Sequence, residues 1–399
     1  MRASRRAFLN EIIDYAGLFP PAKLELDEAV RNYARYRDEP EAWMLGRFLC
    51  PAGNLPQLDG YRDSLFVSSP CRLSVLATGA ESADAFRRSL VGDLIRIIAF
   101  RSESAGSSPP RSADPDRPLS ELPFSDRARS VLGECGIRTV GQLLEVDETS
   151  LRRMRALYTT RRHDVEQGLK TAGANVAGAL AARGTCIEAF ELRLPGELGQ
   201  APDPGAIHEF LDSVHLLLAV GAVRVPTFWE ASLAVGEDWK PIVLALVEAL
   251  AAYDREHGGR AGFKLRCGGL EAAAFPSAAQ VAFVIQQCRD HGVPLKFTAG
   301  LHQAVRHYDP GVQTFVHGFL NVFGAGILAS ALPLEFHDIL GIVEEQDARQ
   351  FEFTDETFAW ADAEATLGEI EYARQQRVLS FGSCSFDEPR DDLRRLGLR

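Results

Sequence analysis

Lysine is scarce in this chain, although positive charge is not. Of the 43 lysine and arginine residues, five are lysine, at positions 23, 170, 240, 264 and 296. Long apolar runs are also missing, since none reaches the roughly 18–20 residues that span a bilayer. No G-x-G-x-x-G follows the first apolar run, which disfavours a dinucleotide-binding fold.

Cysteine pairs are absent as well. The seven cysteines are scattered without a C-x-x-C, a pattern typical of buried thiols in a reducing compartment and not of a disulfide frame or zinc cluster. A formal net charge of −12 disfavours a general coat of nucleic acid or anionic lipid. The arginine-rich start has no apolar core of signal-peptide type. We therefore expect a cytoplasmic protein without membrane contact.

Short apolar runs alternate with helical patterns along most of the chain. The runs are EIIDYAGLF, WMLGRFLCP, LSVLA, LIRIIAF, CIEAFELRL, VPTFWEASL, GFKLRCGG, PLKFTAGL and VLSFGSCSF. Strands that alternate with helices form parallel sheets through right-handed crossovers. The pattern predicts an α/β fold, a (β/α)8 TIM-like barrel, with an open doubly wound sheet as the alternative.

One segment breaks this alternation. Residues 101–116 are rich in Ser, Pro, Asp and Arg and predict a flexible linker. Residues 117–172 then have helical spacing with a glycine turn, ECGIRT, which predicts a small all-α domain of helix-hairpin-helix type. The barrel is therefore predicted in two parts, 1–100 and 173–399.

The helical segment resembles the C-terminal domain of the bacterial RNA polymerase alpha subunit. The shared residues are L-x-x-L-x-F-S-x-R-A followed by C-G-I-R-T-V-G-Q-L-L. The resemblance implies DNA contact through Arg127. Because the segment lacks a strong basic face, a protein-interaction or homo-oligomerisation module is the alternative.

Two of the five lysines stand in look-alike segments, FKLRCGG at 263–269 and LKFTAGL at 295–301. Residues of a strand alternate between its faces. Since the outer face of a barrel strand packs on helices, the polar face is expected to point into the barrel. The residues that this argument places at the barrel mouth are Lys264, Arg266, Lys296, Thr298, Gly300, Arg47, Glu191, Glu230 and Asp14.

These residue types favour acid–base chemistry on a small anion. A desolvated lysine amine can lose its proton and form an imine with a carbonyl, which a guanidinium cannot do. Two neighbouring cations also disfavour each other's charge. Anion binding with acid–base work, or buried ion pairs, are the alternatives for the lysines, and Asp14 is equally suited to capping a turn.

The lysine segments also resemble class I aldolases of the deoxyribose-phosphate aldolase type. KFTAG and KLRCGG echo the two lysine signatures of that family in the opposite order. The resemblance implies Lys296 or Lys264 as the nucleophile and the other lysine as its neighbour. The barrel portion is also similar to uncharacterised bacterial proteins with DYAGLFPPA and TAGLH segments.

Further candidates follow the lysine strands. His302 is a candidate general acid or base, with loop packing as the alternative. His317 and Asn321 share a helix face, where ligand contact competes with tight helix packing. Ser383 follows the last apolar run, where backbone amides often bind phosphate.

Together these features predict a barrel enzyme. We expect it to act on a small anionic carbonyl compound, a sugar phosphate or keto acid, by lysine-assisted lysis or enolisation, without metal or cofactor. The alternative is a regulatory or scaffold protein, in which a degenerate barrel carries a helical module that binds nucleic acid or transcription machinery.

Overall fold

The computed structural model describes most of the chain. The described residues are 2–66, 70–102, 115–122, 124, 126–160, 185–221, 223–231, 233, 239–258 and 261–398. Most of the predicted linker, residues 103–114, lies outside the described residues, and so does the end of the predicted helical domain, 161–172.

Eight parallel strands close a barrel. The strands of the described residues are β1 (Ile13–Tyr15), β2 (Leu45–Pro51), β3 (Cys71–Leu76), β4 (Thr185–Arg193), β5 (Thr227–Glu230), β6 (Ala261–Arg266), β7 (Leu295–Thr298), β8 (His307–Asp309), β9 (Thr314–Val316), β10 (Phe351–Phe353), β11 (Thr357–Trp360), β12 (Ala363–Thr366) and β13 (Val378–Ser383). The order around the closed barrel is β1-β13-β7-β6-β5-β4-β3-β2. The ring follows chain order, with β13 as its eighth strand. This confirms the predicted TIM-like barrel and shows that the open doubly wound alternative was wrong.

Helices separate the barrel strands. They are α1 (Ala3–Leu9), α2 (Leu26–Tyr36), α3 (Leu55–Leu65), α4 (Ala83–Ser102), α5 (Asp126–Glu134), α6 (Val140–Leu144), α7 (Glu148–Thr160), α8 (Gly196–Gln200), α9 (Pro204–Val220), α10 (Lys240–His257), α11 (Ala278–His291), α12 (Phe319–Ala331), α13 (Phe336–Glu344), α14 (Leu367–Gln376) and α15 (Asp387–Arg395). Within the described part of the chain, no helix has both the length and the apolarity to cross a membrane. The seven cysteines are free thiols, and five of them are buried as predicted, whereas Cys135 and Cys186 are partly exposed.

One of the nine predicted strands was wrong. LIRIIAF, residues 94–100, lies inside helix α4. Its apolar side chains are buried on nearly all sides, including Ile97 at 1% and Phe100 at 3% exposure. In a short, mostly apolar run, hydrophobic residues show no clear periodicity. A buried helix therefore cannot be distinguished from a buried strand by this pattern.

The chain divides into two compact units. The first comprises Met1–Leu49, Pro202–Pro204 and Pro226–Arg399, and the second comprises Cys50–Ala201 and Gly205–Val225. Helices α5, α6 and α7, from the segment that resembles the polymerase domain, belong to the second unit. Their identification as a helix-hairpin-helix domain stays a prediction.

Two small antiparallel elements that the sequence pattern did not predict lie between β7 and β13. Strands β8 and β9 form a hairpin, and β10, β11 and β12 form a three-stranded sheet. Aromatic residues attach the sheet to α1, where the Phe8 ring lies 4.8 Å from Phe358 and 5.3 Å from Phe353. These elements place a long excursion between the seventh and eighth barrel strands.

The barrel strands of the first unit are apolar on the face that meets helices. Phe297 of β7 contacts Phe323 of α12, with ring centroids 5.2 Å apart, and Phe381 of β13 stacks on Phe319 at 5.6 Å. Because neighbouring residues of a strand point to opposite faces, Lys296 and Ser380 point to the interior. Alternation thus separates packing residues from polar residues, as predicted.

The two look-alike strands end in glycines that touch. Gly300 has φ +72°, and a Cβ there would lie 2.6 Å from the Cys267 carbonyl oxygen and 2.8 Å from Gly268 Cα. A Cβ on Gly268 would in turn lie 2.7 Å from Gly300 Cα. The repeated glycine therefore lets the loops that follow β6 and β7 approach each other.

Replacing Gly300 by alanine should destabilise the protein more than replacing Gly258. Both residues have positive φ, +72° and +58°, but a Cβ on Gly258 meets open space. The left-handed conformation costs an L-residue about 1–2 kcal/mol, and overpacking at Gly300 adds about 1–3 kcal/mol. Denaturant unfolding measures both losses. Equal losses in the two variants would contradict the close approach of the loops.

Candidate active site

Each lysine of the pair shares a carboxylate with an arginine. In the first group Glu230, the last residue of β5, binds Lys264 Nζ through Oε2 at 2.9 Å. Its Oε1 accepts a hydrogen bond from Arg266 Nε at 3.0 Å. We call these three residues the Glu230 triad. The carboxylate holds an amine and a guanidinium side by side at the ends of two barrel strands.

The second group is centred on Asp14 of β1. We call Asp14, Lys296 and Arg47 the Asp14 triad. Lys296 Nζ lies 2.8 Å from Asp14 Oδ2, to which Ser380 Oγ donates at 2.7 Å. The Arg47 backbone N–H donates to Oδ1 at 2.6 Å, and its Nη1 lies 3.9 Å from the same oxygen. A Cβ on Gly46 would lie 2.3 Å from Oδ1, so the carboxylate occupies the space that a side chain at Gly46 would need.

Strand register brings the two triads together. Glu230 is the Cα partner of Lys264 across β5 and β6, and Lys264 is the partner of Lys296 across β6 and β7. The two lysines are therefore direct neighbours, as their matching positions predicted. Lys296 Nζ also lies 5.5 Å from the Phe228 ring centroid, which favours a cation.

The surrounding cations keep both carboxyl groups ionised. Burial alone raises the pKa of Asp14, but Lys296, Arg47 and their hydrogen bonds outweigh it and hold the pKa below its usual value. Burial likewise raises the pKa of Glu230, and Lys264 and Arg266 outweigh it. Each of the two carboxylates is thus ionised and has a lysine and an arginine beside it.

The two triads differ in their access to solvent. The Arg266 side chain is 50% exposed and that of Glu230 is 12% exposed. Lys296 and Asp14, at 1% and 0%, are sealed from solvent. Barrel enzymes bind substrates where the strands end at their carboxyl termini. In the Glu230 triad, Arg266 is the side chain that a ligand can reach directly, whereas Lys264 lies behind it at 6% exposure.

The structure pairs His302 with a residue other than Lys296. His302 Nδ1 lies 2.7 Å from Glu388 Oε2 of α15, and the hydrogen bond from His302 holds the pKa of Glu388 below its usual value. The pair links the loop after β7 to the helix after β13. Direct proton transfer between His302 and Lys296 has no support from this geometry.

His317 and Asn321 hold segments of backbone together. Asn321 Nδ2 donates to the carbonyls of Ile342 and Glu345, both at 2.8 Å, and its Oδ1 accepts the Arg306 N–H. His317 is fully buried, and its Nε2 lies 2.7 Å from the Pro276 carbonyl oxygen. These contacts favour the packing alternative over ligand contact for both residues.

The remaining predicted residues lie apart from the triads or beside them. Thr298 faces Gly382, whose Cβ would lie 3.1 Å from Thr298 Oγ1. Ser383 Oγ donates to the Ser385 carbonyl at 2.7 Å within its own turn. Glu191 belongs to the second unit, where Ser74 Oγ donates to it at 2.6 Å. Arg127 lies in α5, and its side chain falls outside the described part of the chain.

Two residues of the site were missed from the sequence. Ser380 binds Asp14, and alternation along β13 was the signal that could have found it. Arg374 of α14 is buried, and its guanidinium donates to the carbonyls of Phe8, Asn10, Val378 and Leu379. It ties the end of α1 to the start of β13, and burial lowers the pKa of Arg374 to about 9.

Comparisons of the chain with family models, curated proteins and solved structures gave no match. The resemblances to the polymerase domain and to class I aldolases therefore stay predictions.

Replacing Asp14 by asparagine should be strongly destabilising. The change removes the negative charge 2.8 Å from the buried Lys296 ammonium, and breaking a buried ion pair costs about 3–5 kcal/mol in comparable cases. Adding Lys296→Met should restore part of the lost free energy of unfolding, because it removes the buried ammonium. Denaturant unfolding of the single and double variants gives the coupling.

The matched control for this change is Asp27→Asn. It breaks an exposed i,i+4 ion pair with Arg31, and such a pair contributes less than about 0.5 kcal/mol. A loss at Asp14 as small as that at Asp27 would contradict a buried, paired Asp14.

His317→Gln should flatten the pH dependence of stability. Burial lowers the pKa of His317 from 6.5 to about 4, so between these values the unfolded chain binds a proton that the folded chain does not. Stability from this residue is present above pH 6.5 and falls as the pH drops toward 4, by up to about 3 kcal/mol.

The test compares unfolding free energies at pH 6.5 and pH 5. The His317→Gln protein should lose less stability over this range than the parent. His337→Gln is the control, because the His337 side chain is 81% exposed. If His317→Gln and the parent have equal slopes, the ring is not buried in its neutral form.

Proposed function

We propose that this chain is a barrel enzyme that acts on a small anionic carbonyl compound through an imine on Lys264. The observation that carries the proposal is the Glu230 triad at the strand ends. It sets a buried amine 2.9 Å from a carboxylate whose other oxygen is 3.0 Å from a half-exposed guanidinium. A nucleophile, a proton acceptor and an anion-binding group thus share one small space.

The proposed chemistry needs only water as co-reactant. Glu230 accepts a proton from the Lys264 ammonium, and the amine adds to the carbonyl carbon. Glu230 passes this proton to the hydroxyl of the adduct, water leaves, and a protonated imine and an ionised Glu230 remain. Glu230 then takes the proton of a C–H bond next to the imine carbon, or, for lysis, the proton of the hydroxyl on the fragment that leaves as an aldehyde or ketone. The electron pair of the broken C–H or C–C bond passes to the imine nitrogen. Glu230 returns a proton to the resulting enamine, and hydrolysis restores the amine. The step is a lysis or an enolisation.

We assign Lys296 and Asp14 a fixed role beside Lys264 in this chemistry. They are sealed from solvent, at 1% and 0% exposure, so a substrate bound to Arg266 has no direct access to them. Their fixed charges lie next to Lys264 across the β6–β7 register. The proposed role of this ion pair is to keep its charges in place beside Lys264 while Lys264 reacts.

The Lys264→Arg protein should no longer form an imine. Parent and variant proteins are treated with sodium borohydride and a panel of aldehydes, keto acids and sugar phosphates, and their intact masses are measured. The parent should gain a stable adduct that peptide mapping places on Lys264. The variant keeps the positive charge but has no nucleophilic amine.

Lys240→Arg is the control for this test. Lys240 lies at the start of α10, near the rings of Trp239 and Phe283, and its replacement should leave the adduct unchanged. An adduct that survives in a folded Lys264→Arg protein, or the absence of any adduct in the parent, would contradict the proposal.

A further inference from the structure

Acidic groups fill the place where barrels commonly bind phosphate. That place lies between the loops after the seventh and eighth strands, beside the start of a helix. Here these loops follow β7 and β13, and Glu388 of α15 joins them through its 2.7 Å contact with His302. The low pKa of Glu388 keeps this carboxylate charged. A phosphate at this position would have to displace the Glu388 carboxylate from His302.

The backbone donors that a phosphate needs there are also used. Helix α15 begins with Asp387, Glu388 and Pro389, and proline has no N–H. The Glu388 N–H donates to Ser385 Oγ at 3.1 Å. On the opposite loop, the Ala304 N–H donates to Asp392 Oδ2 at 2.7 Å. The chain's own oxygens occupy these two N–H groups, which disfavours a phosphate at this position.

Arg266 offers an anion site of a different kind. Its Nε binds Glu230, yet half of its side chain is exposed. A guanidinium pairs with a carboxylate through two parallel hydrogen bonds. Because Arg266 and Lys264 bind the two oxygens of one carboxylate, an anion on Arg266 and a carbonyl carbon at Lys264 must be very close together. Adjacent carboxylate and keto groups meet this condition.

We infer that the substrate is a short 2-oxo acid, with its carboxylate on Arg266 and its keto carbon at Lys264. This inference rests on the proposed function, because it assigns the ligand of the same site. Binding of the substrate carboxylate draws Arg266 away from Glu230. With one cation less, Glu230 holds a proton more strongly, and it then takes the proton of Lys264. Binding of the substrate thus leads to deprotonation of Lys264, the nucleophile.

For lysis, the substrate class is a 4-hydroxy-2-oxo acid. Lys264 forms an imine at carbon 2 with loss of water. Glu230 takes the proton of the 4-hydroxyl group, the bond between carbons 3 and 4 breaks, and its electron pair passes to the imine nitrogen. An aldehyde leaves, and Glu230 returns the proton to carbon 3. Water then releases a shorter 2-oxo acid and restores the amine.

The test uses three probes on the full-length protein. They are pyruvate, methyl pyruvate, which has no carboxylate, and dihydroxyacetone phosphate. Binding is measured by calorimetry without reductant, and imine formation by borohydride trapping. The parent should bind and trap pyruvate at least about 10-fold better than the phosphate ester, since a charged hydrogen-bonded pair contributes a factor of this size or more.

Arg266→Gln separates carboxylate recognition from a general loss of the site. It should weaken pyruvate binding and trapping about 10- to 100-fold, whereas trapping of methyl pyruvate should change less than about 3-fold. Arg349→Gln is the control, because the Arg349 side chain is 90% exposed and forms an ion pair with Asp347. An equal loss with both probes would overturn the assignment of the carboxylate to Arg266.

The outcomes separate the inference from the function on which it rests. Trapping of dihydroxyacetone phosphate in preference to pyruvate overturns the 2-oxo acid and leaves the lysine chemistry standing. Binding of pyruvate that depends on Arg266, without any adduct, supports the ligand class and overturns the imine. If no probe binds and no probe gives an adduct, both the 2-oxo acid and the imine chemistry are overturned.

Discussion

A buried lysine needs a counter-charge, and this requirement organises the barrel of the first unit. An unpaired ammonium is too costly to bury, so each lysine of the pair has its own carboxylate, at 2.8 Å and 2.9 Å. Other features serve these contacts. Gly46 leaves room for the Asp14 carboxylate, and Ser380 and the Arg47 N–H fill its remaining acceptor positions.

Each triad combines one carboxylate, one lysine and one arginine, but the two have different surroundings. This difference supports a reactive role for the Glu230 triad and a fixed role for the Asp14 triad. Asp14 is enclosed and fully hydrogen-bonded, which suits a fixed charge inside a protein. Glu230 lies at a strand end beside a half-exposed arginine, where a ligand can change its partners. In the proposed reaction the enclosed pair stays fixed, and only the lysine of the Glu230 triad reacts.

The barrel and the polar face of its strands could be predicted from the sequence, because both follow from local periods. Lys264 and Lys296 were expected to be neighbours, and the β6–β7 register confirms it. Their partners could not be assigned, since the contact of Lys296 with Asp14 depends on how β13 closes the ring. His302 is a candidate general acid or base from the sequence, but its contact with Glu388 of α15 could not be predicted, because the two residues are far apart along the chain. The sheet of β10, β11 and β12 has strands too short to leave a clear alternation.

The most direct test of this account is a crystal structure of the protein after borohydride reduction in the presence of pyruvate. The account predicts a covalent bond from Lys264 Nζ to carbon 2 of the ligand, with the ligand carboxylate hydrogen-bonded to Arg266. A ligand attached to another lysine, or a carboxylate bound beside His302 and Glu388, would contradict it.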